Sequence, residues 1–261
     1  MRTLCATDPV ATILAAVNVP GMGIGASNML GVLDLRLTSA AWYGANLVPV
    51  RTSHSDRRLY ADYVASRPRS CSSIVGPAEE VLDLWTMLAP AWGDGAEVRA
   101  CQPSLVATRP CGPIDPKVRP ATVADAKMIA PASVAMFTEE VGYDPTAYGP
   151  GYVARVYELA RAGHTFIRTG PDGRGGQRVE FKADIGALAG GVAQVQGVWT
   201  APDLRGRGIG TAGMAAVVDH ITRTIAPRVS LYVNDYNLAA LAIYQRTGFT
   251  KVGEYATVLL A

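Results

Sequence analysis

The sequence lacks the charge imbalance and the long hydrophobic runs that would indicate a nucleic-acid-binding or membrane protein. Its 24 lysines and arginines nearly balance 22 aspartates and glutamates, giving a formal net charge of +2. No run of basic residues stands out, and no apolar stretch reaches the roughly 18 residues that a membrane span needs. Asp8 and Pro9 lie close to the start, where a signal peptide would have an apolar core. We therefore expect no signal peptide, no membrane association and no nucleic-acid partner.

Residues with metal-binding or nucleophilic chemistry are also sparse. The four cysteines match no metal-ligand spacing, and the three histidines show no pairing pattern. We expect reduced thiols, no metal and a cytoplasmic location. No Ser/His/Asp order is present, and the absence of the Gly-x-x-x-x-Gly-Lys-Ser/Thr loop argues against an ATPase.

The length and the proline pattern predict two domains. A chain of 261 residues with 49% hydrophobic content can bury one large core or two modest ones. Arg109–Pro116 contains four prolines or glycines in eight residues, which disfavours both helix and core strand. We predict a linker over 109–117, a first domain over 1–108 and a second over 118–261. Both halves show helix, strands, helix, strand, helix and strand in that order, which suggests two copies of one fold.

One glycine-dense stretch, Ala201–Thr211, lies between an expected strand (Ala193–Thr200) and an expected helix (Ala212–Ile225). Such a turn can hold a phosphate, because its glycines let successive backbone N–H groups face one side. The start of the helix adds unpaired N–H donors and the positive end of the helix dipole. Pro20–Gly25 superficially resembles a nucleotide loop, but no strong strand precedes it and no clear helix follows, so we interpret it as an ordinary loop.

Two motifs of the second half resemble signatures of the GNAT superfamily of N-acetyltransferases. The segment from Arg205 to Gly210, R-G-R-G-I-G, fits the acyl-CoA signature R/Q-x-x-G-x-G/A, and Asn237 to Phe249 resembles N-x-x-A-x-x-x-Y-x-x-x-G-F. One helix and one strand separate them, as in that superfamily. The resemblance extends more loosely over 118–261. Residues 71–77, 136–142 and 229–237 make the whole chain similar to actinobacterial GNAT-related proteins that carry an additional N-terminal domain without the glycine loop.

This resemblance implies a fold and a reaction. The fold class is α/β (α+β), with two tandem GNAT-like domains, each a mixed, mostly antiparallel twisted sheet flanked by helices. The first would be a degenerate GNAT-like domain without a CoA loop, and the second would bind acetyl-CoA and carry out catalysis. The implied activity is N-acetyl transfer from acetyl-CoA, without a metal, to a small-molecule or peptide amine. The protein is expected to be a monomer or a homodimer.

The resemblance also implies the positions of the acetyl-CoA site. Its expected residues are Val198, Trp199, Thr200, Arg205, Gly206, Arg207, Gly208, Ile209, Gly210, Thr211, Asn237, Ala240 and Tyr244. Backbone N–H groups from Arg207 to Thr211 would hold the pyrophosphate. The pantetheine arm would lie between the strands Ala193–Thr200 and Arg228–Asn234, which would separate there. Tyr244 matches the residue that protonates the departing thiolate, and its alternative interpretation is an aromatic ring that packs in the core.

Asn237 and Tyr244 are two helical turns apart and share a face. Asn237 is also well placed as the N-cap of that helix.

The base that takes a proton from the amine is the open question. Gln194 and Gln196 occupy the strand before the glycine turn, where many relatives place a carboxylate, and neither can act as a base. Glu139 and Glu140 are candidates, since the resemblance places them at the border of the acceptor site. They would take the proton directly or through a water molecule, or would only attract a cationic acceptor. Asp184 is a further candidate. The alternative for each of these acidic residues is a solvent-facing charge without a catalytic role.

Those two glutamates follow a helix that a capping box of Thr122 and Asp125 would start. We expect this helix to run to about Phe137, with Pro131 kinking or interrupting it.

The missing strand carboxylate gives weight to a second hypothesis, a non-catalytic acyl-CoA-binding regulatory protein, while retention of Tyr244 counts against it. A third hypothesis is an aminoacyl transferase acting on aminoacyl-tRNA. The near-neutral charge and the intact CoA signature argue against that one.

Overall fold

The structure is a computed structural model that describes residues 1–19, 28–33 and 36–260. The loop Pro20–Gly25 lies outside the described residues. The strands are β1 (Met29–Leu33), β2 (Leu37–Tyr43), β3 (Asn46–Val50), β4 (Ser73–Pro77), β5 (Gly95–Ala107), β6 (Arg119–Pro120), β7 (Thr165–Pro171), β8 (Gln177–Ala189), β9 (Val192–Thr200), β10 (Arg228–Tyr232) and β11 (Thr250–Leu260). The helices are α1 (Arg2–Ala6), α2 (Ile13–Ala16), α3 (His54–Ala65), α4 (Ala78–Trp92), α5 (Ala126–Val141), α6 (Gly151–Arg161), α7 (Ile209–Thr224) and α8 (Leu238–Arg246).

In the described part of the chain these strands form one eleven-stranded sheet, in the order β1-β2-β3-β4-β11-β5-β10-β9-β8-β7-β6. Most neighbours run antiparallel, whereas β3 with β4 and β9 with β10 run parallel. Each parallel pair is connected by a helix, α3 in the first half and α7 in the second. The prediction of a mixed, mostly antiparallel sheet flanked by helices is therefore confirmed.

The two halves exchange strands. β5 belongs to the first half by sequence, yet it lies between β10 and β11 of the second half. β11 in turn pairs with β4, with Tyr255 opposite Pro77. Two hydrogen bonds cross this region: Thr257 Oγ1 donates to Gln102 Oε1 over 2.7 Å, and Gln102 Nε2 donates to Asn234 Oδ1 over 2.7 Å. Each half thus completes the sheet of the other. The division into two domains joined by a linker at 109–117 stays a prediction.

Helices cover both faces of the sheet. In the second half α7 lies on one face, where Phe166, Phe181 and Met214 are fully buried. A Cβ added to Gly213 would lie 2.9 Å from the Phe181 ring, so glycine lets α7 pack directly against β8. The opposite face carries α5 and α6. In the first half, Ala256 and Val258 of β11 are fully buried in the core cluster that α3 and α4 form, which shows the strand exchange in the packing.

The helix α5 differs from its prediction in one respect. The capping box of Thr122 and Asp125 is present and precedes a 3-10 turn that leads into α5. The helix then continues through Pro131 as far as Val141, so an end near Phe137 was wrong. Pro131 removes a single backbone hydrogen bond, and burial of the neighbouring Ile129 and Ala132 offsets that loss. Glu139 and Glu140 consequently lie in the last helical turn.

The strand exchange predicts that the second half does not fold by itself. A fragment of residues 118–261 lacks β5 and exposes unpaired edges of β10 and β11, which favour aggregation. We expect this fragment to aggregate and residues 1–117, supplied in co-expression, to rescue it. Size-exclusion chromatography and thermal circular dichroism check this. An isolated fragment that is monomeric and melts cooperatively would contradict it.

Candidate active site

The centre of the second half is a gap between two parallel strands. β9 and β10 pair at three positions, and the last of these is Ser230 opposite Gln194. Beyond this point β9 runs on to Thr200 without β10 beside it. Val198, Trp199 and Thr200 lie on this unpaired stretch and are partly buried. The separation of these strands is the arrangement that the sequence resemblance implies.

A β-bulge lies where the gap opens. Asp184 pairs with Gln196 and Lys182 pairs with Trp199, so Gly197 and Val198 together face the single residue Ala183. Gly197 has a φ of 58°, in the left-handed region that favours glycine. A Cβ at this position would also lie 2.9 Å from Asp184 Oδ2. Backbone conformation and space therefore both require glycine at the bulge.

A buried polar cluster packs against the bulge. Lys182 is fully buried, and its Nζ donates to Asp184 Oδ2 over 2.6 Å and to the Gly197 carbonyl over 3.0 Å. Thr165 Oγ1 donates to Asp184 Oδ1 over 2.7 Å. Both carboxylate oxygens of Asp184 are thus already bonded, which leaves it poorly placed as the base that takes the amine proton.

The glycine turn forms an anion cradle at the end of the gap. Gly206 and Gly208 have φ values of 75° and 78°, and Gly208 is the N-cap of α7 without any side-chain cap. The helix begins at Ile209, three residues before its predicted start. The first N–H groups of a helix have no acceptor within the helix, so those of Ile209, Gly210 and Thr211 are available to a ligand.

Charged side chains lie beside this cradle, and the helical turn that forms it packs closely against neighbouring elements. Arg205 and Arg207 are exposed and add positive charge beside the turn. A Cβ on Gly210 would approach Thr200 Oγ1 and Ile243 Cδ1, each at 3.1 Å, so the first turn of α7 sits tightly between β9 and α8. This contact links the cradle to the end of the gap.

The two candidate glutamates occupy different positions. Glu139 lies at the cradle rim, where its carboxylate pairs with Arg205 Nη2 at 2.6 Å and accepts from Trp199 Nε1 at 3.4 Å. Glu140 instead faces the exchanged strand β5: the Arg99 guanidinium donates to the Glu140 carbonyl over 3.2 Å and lies 3.8 Å from its carboxylate. The structure therefore associates Glu139 with the phosphate end and Glu140 with the strand that enters from the first half.

Tyr244 and Asn237 both lie at α8, as the sequence predicts. Tyr244 is 7% exposed and packs edge-on against Phe249, with ring centroids 5.6 Å apart. Burial, assisted by the charge of Glu140, raises the pKa of Tyr244 above its ordinary value, so the phenol stays protonated. Asn237 caps α8 by accepting the Ala240 N–H over 3.1 Å, which confirms its predicted N-cap role.

Sequence reasoning missed three residues around the gap. These are the buried Lys182, Arg99 on the exchanged strand, and Ser230, whose buried hydroxyl has no hydrogen-bond partner within the described residues. A signal existed for Lys182, because a lysine and an aspartate two positions apart inside an apolar strand pattern share one face. Nothing in the local sequence could bring Arg99 to the site, since its position depends on the strand exchange.

Comparisons with known families agree with this geometry. Residues 148–249 match the acetyltransferase (GNAT) family, and residues 27–129 match a domain of unknown function, DUF4081. Residues 148–249 therefore carry a GNAT acetyltransferase domain. Such enzymes act on amine acceptors and take acetyl-CoA as co-substrate. A search of curated proteins finds no match to the chain.

Solved structures share the fold over nearly the whole chain. A GNAT-family acetyltransferase from Novosphingobium aromaticivorans is 16% identical, with 98% of each chain covered and a TM-score of 0.59. A GCN5-related N-acetyltransferase from Kribbella flavida is also 16% identical, with 96% of this chain and 95% of that one covered and a TM-score of 0.55. A tandem GNAT protein from the clavulanic acid biosynthesis pathway is 11% identical, with 98% and 94% covered and a TM-score of 0.51. The fold is therefore that of GNAT proteins, tandem ones among them.

Two further observations concern the described residues alone. No helix among them is long and apolar enough to cross a membrane. No group of three or more histidine, cysteine, aspartate or glutamate side chains in that part of the chain could hold a metal ion.

Asn237 caps α8, and the resemblance also implies that its side chain contacts the pantetheine of acetyl-CoA. Two variants separate these roles. We expect Asn237→Ala to lower the free energy of unfolding by about 1 kcal/mol, since the Ala240 N–H loses its acceptor. Asn237→Asp keeps that acceptor and should keep the stability, but it removes the amide donor that a bound pantetheine would use. Urea titration measures the first effect and acetyl-CoA titration the second. Equal stability losses in both variants would contradict the cap.

Proposed function

We propose that the protein transfers the acetyl group of acetyl-CoA directly to a primary amine. The observation that carries this proposal is the uncapped start of α7 at the end of a gap between two parallel strands. The free N–H groups of α7 suit a pyrophosphate, and the unpaired edge of β9 suits the amides of a pantetheine arm. The acceptor, a small molecule or a peptide, the cytoplasmic location and the oligomeric state, monomer or homodimer, stay predictions.

The residues around the gap fit acetyl-CoA from end to end. N–H groups from Arg207 to Thr211, with the positive charge of Arg205, would bind the pyrophosphate. Backbone groups of Val198 to Thr200 would pair with the pantetheine as a missing strand would. Asn237 and Ala240, at the start of α8, would border the other side. The buried hydroxyl of Ser230 has no hydrogen-bond partner within the described residues. It lies where the gap opens and would be available to bond a ligand there.

The proposed chemistry needs two proton transfers. The amine nitrogen attacks the thioester carbonyl carbon, the carbon–sulfur bond breaks, and the sulfur leaves as a thiolate. Tyr244 gives that thiolate its proton, and burial keeps its phenol protonated at physiological pH. A carboxylate, directly or through a water molecule, takes the proton that the amine loses.

We assign the base role to Glu140 rather than Glu139. The Glu139 carboxylate is held by Arg205 and Trp199, so its role is to orient Arg205. The Glu140 carboxylate is held less closely, since its nearest cationic partner, Arg99 Nη1, lies 3.8 Å away. Burial is the main cause that raises the pKa of Tyr152 and of Tyr232, each to about 12; the charges of Asp184 and Glu140 add to it at Tyr152, and the charge of Glu140 adds to it at Tyr232.

A non-catalytic acyl-CoA-binding protein is the second candidate function. It is favoured by the glutamines on β9 and by the fully bonded carboxylate of Asp184.

Tyr244→Phe separates these two functions. We expect it to lower kcat for CoA release, measured with acetyl-CoA and a panel of primary amines, by about 100-fold, because the thiolate loses its proton donor. Acetyl-CoA binding should persist, since the ring remains. Binding without turnover on any amine in the unaltered protein would favour the binding-protein alternative.

Matched amide variants distinguish the two glutamates. Glu140→Gln should abolish the fall of kcat/KM at acid pH that protonation of a carboxylate base causes, and should lower kcat itself. Glu139→Gln breaks an exposed ion pair worth at most about 1 kcal/mol, so its effect on acetyl-CoA affinity should stay below about fivefold. A larger loss of kcat in Glu139→Gln than in Glu140→Gln would reverse the assignment.

A further inference from the structure

The buried ammonium of Lys182 contacts the backbone at the point where the gap opens. The side chain is fully buried, and Lys182 is not one of the residues that the sequence predicts for the site. It donates to the carbonyl of Gly197, the first residue of the bulge, over 3.0 Å. A buried charge is strongly destabilising unless it is paired and bonded, and here Asp184 and the Gly197 carbonyl supply the partners. The three groups form one unit with Thr165.

The geometry of a peptide unit gives this contact a consequence. The carbonyl of Gly197 and the N–H of Val198 belong to the same trans peptide, in which the two groups point in opposite directions. While Lys182 holds the carbonyl, the Val198 N–H is directed away from the ammonium. Val198 lies on the stretch of β9 that β10 has left.

We propose that Lys182 is a positioning residue that fixes the Gly197–Val198 peptide so that the Val198 N–H donates to the carbonyl oxygen of the bound thioester. This inference rests on the proposed function, because it needs acetyl-CoA in the gap. Lys182 itself touches neither substrate. It acts through the peptide, whose N–H stabilises the negative charge that develops on the carbonyl oxygen during attack.

The bulge gives the ammonium a specific task. The extra residue disrupts the ladder between β8 and β9, so the Gly197 carbonyl needs another donor. Without Lys182 the Gly197–Val198 peptide could rotate, since glycine restricts φ and ψ weakly. Met136 of α5 adds a packing contact, because a Cβ on Gly197 would lie 3.3 Å from its Cε. An apolar contact does not define the direction of a carbonyl, whereas a hydrogen bond does.

The test compares variants of this cluster. Lys182→Met removes the ammonium but leaves the Asp184 carboxylate buried and unpaired, which endangers folding. The double variant Lys182→Met/Asp184→Asn removes both charges and keeps an acceptor for Thr165. Thr165→Val is the matched control, because it alters the same buried cluster without touching the bond between Lys182 and Gly197.

The readout is the infrared stretching frequency of acetyl-CoA labelled with carbon-13 at the thioester carbonyl. Binding to the unaltered protein should move this band to lower frequency, because the Val198 N–H polarises the carbonyl. The shift should persist in Thr165→Val and disappear in the double variant. The acetyl-CoA dissociation constant should change little, since the cradle that holds the pyrophosphate is intact. With any accepted amine, kcat should fall about 100-fold with little change in the KM for acetyl-CoA.

The outcomes distinguish this inference from the proposed function. Acetyl-CoA binding with the same carbonyl shift in the double variant and the unaltered protein overturns the role of Lys182 alone. The same holds if Thr165→Val loses the shift as fully as the double variant does, since the effect is then general loosening of the cluster. Failure of the unaltered protein to bind acetyl-CoA overturns the proposed function and this inference together.

Discussion

The candidate site depends on the backbone N–H and C=O groups of β9 that have no strand beside them once β10 turns away. A strand edge inside a protein must bond its N–H and C=O groups to something, since leaving one unpaired costs on the order of 1–3 kcal/mol. Two carbonyl groups of this part of β9 accept hydrogen bonds from cationic side chains. Arg205 Nε donates to the Thr200 carbonyl over 3.0 Å, and at the bulge, where pairing with β8 is interrupted, Lys182 Nζ donates to the Gly197 carbonyl over 3.0 Å. The same arginine reaches Glu139, so the edge, the cradle rim and the end of α5 are joined in one network.

The first half repeats the strand–helix–strand unit but closes the equivalent position with its own side chains. β3 and β4 pair at two positions, as a parallel pair connected by α3. The start of α3 has a capping box of Ser53 and Asp56. The N–H and hydroxyl of Thr52 donate to Glu80 Oε2 at 2.8 and 2.6 Å. In the first half, carboxylates thus accept the N–H groups of Thr52 and Ser53 just before the helix, and the Ser53 hydroxyl accepts the Asp56 N–H within it. α7 has no such side-chain cap, which agrees with the proposed acyl-CoA site in the second half.

Local pattern predicted much of this arrangement. The glycine turn, the helix after it and the Asn237 cap follow from residue types at fixed spacing, because backbone conformation and capping are local properties. The separation of the strands followed from the resemblance rather than from periodicity. The end of α5 was misplaced because the effect of Pro131 depends on tertiary packing, which a proline rule does not contain.

Sequence patterns did not predict the strand exchange or the side-chain contacts that depend on it. Pairing of β5 with β10 and β11 joins residues more than a hundred positions apart, and no local signal encodes that register. Arg99 reaches Glu140 only because of it. Lys182 could be recognised as unusual within its strand, but its bond to the Gly197 carbonyl depends on a bulge in the neighbouring strand.

The central claim is that acetyl-CoA lies along the unpaired edge of β9 and on the start of α7. Amide hydrogen exchange of the intact protein, with and without acetyl-CoA, tests it most directly. We predict that acetyl-CoA slows exchange at residues 198–200 and 207–211 and leaves residues 50–57, at the closed position of the first half, unchanged. Protection at the start of α3 in place of the start of α7, or no protection at either, would contradict the claim.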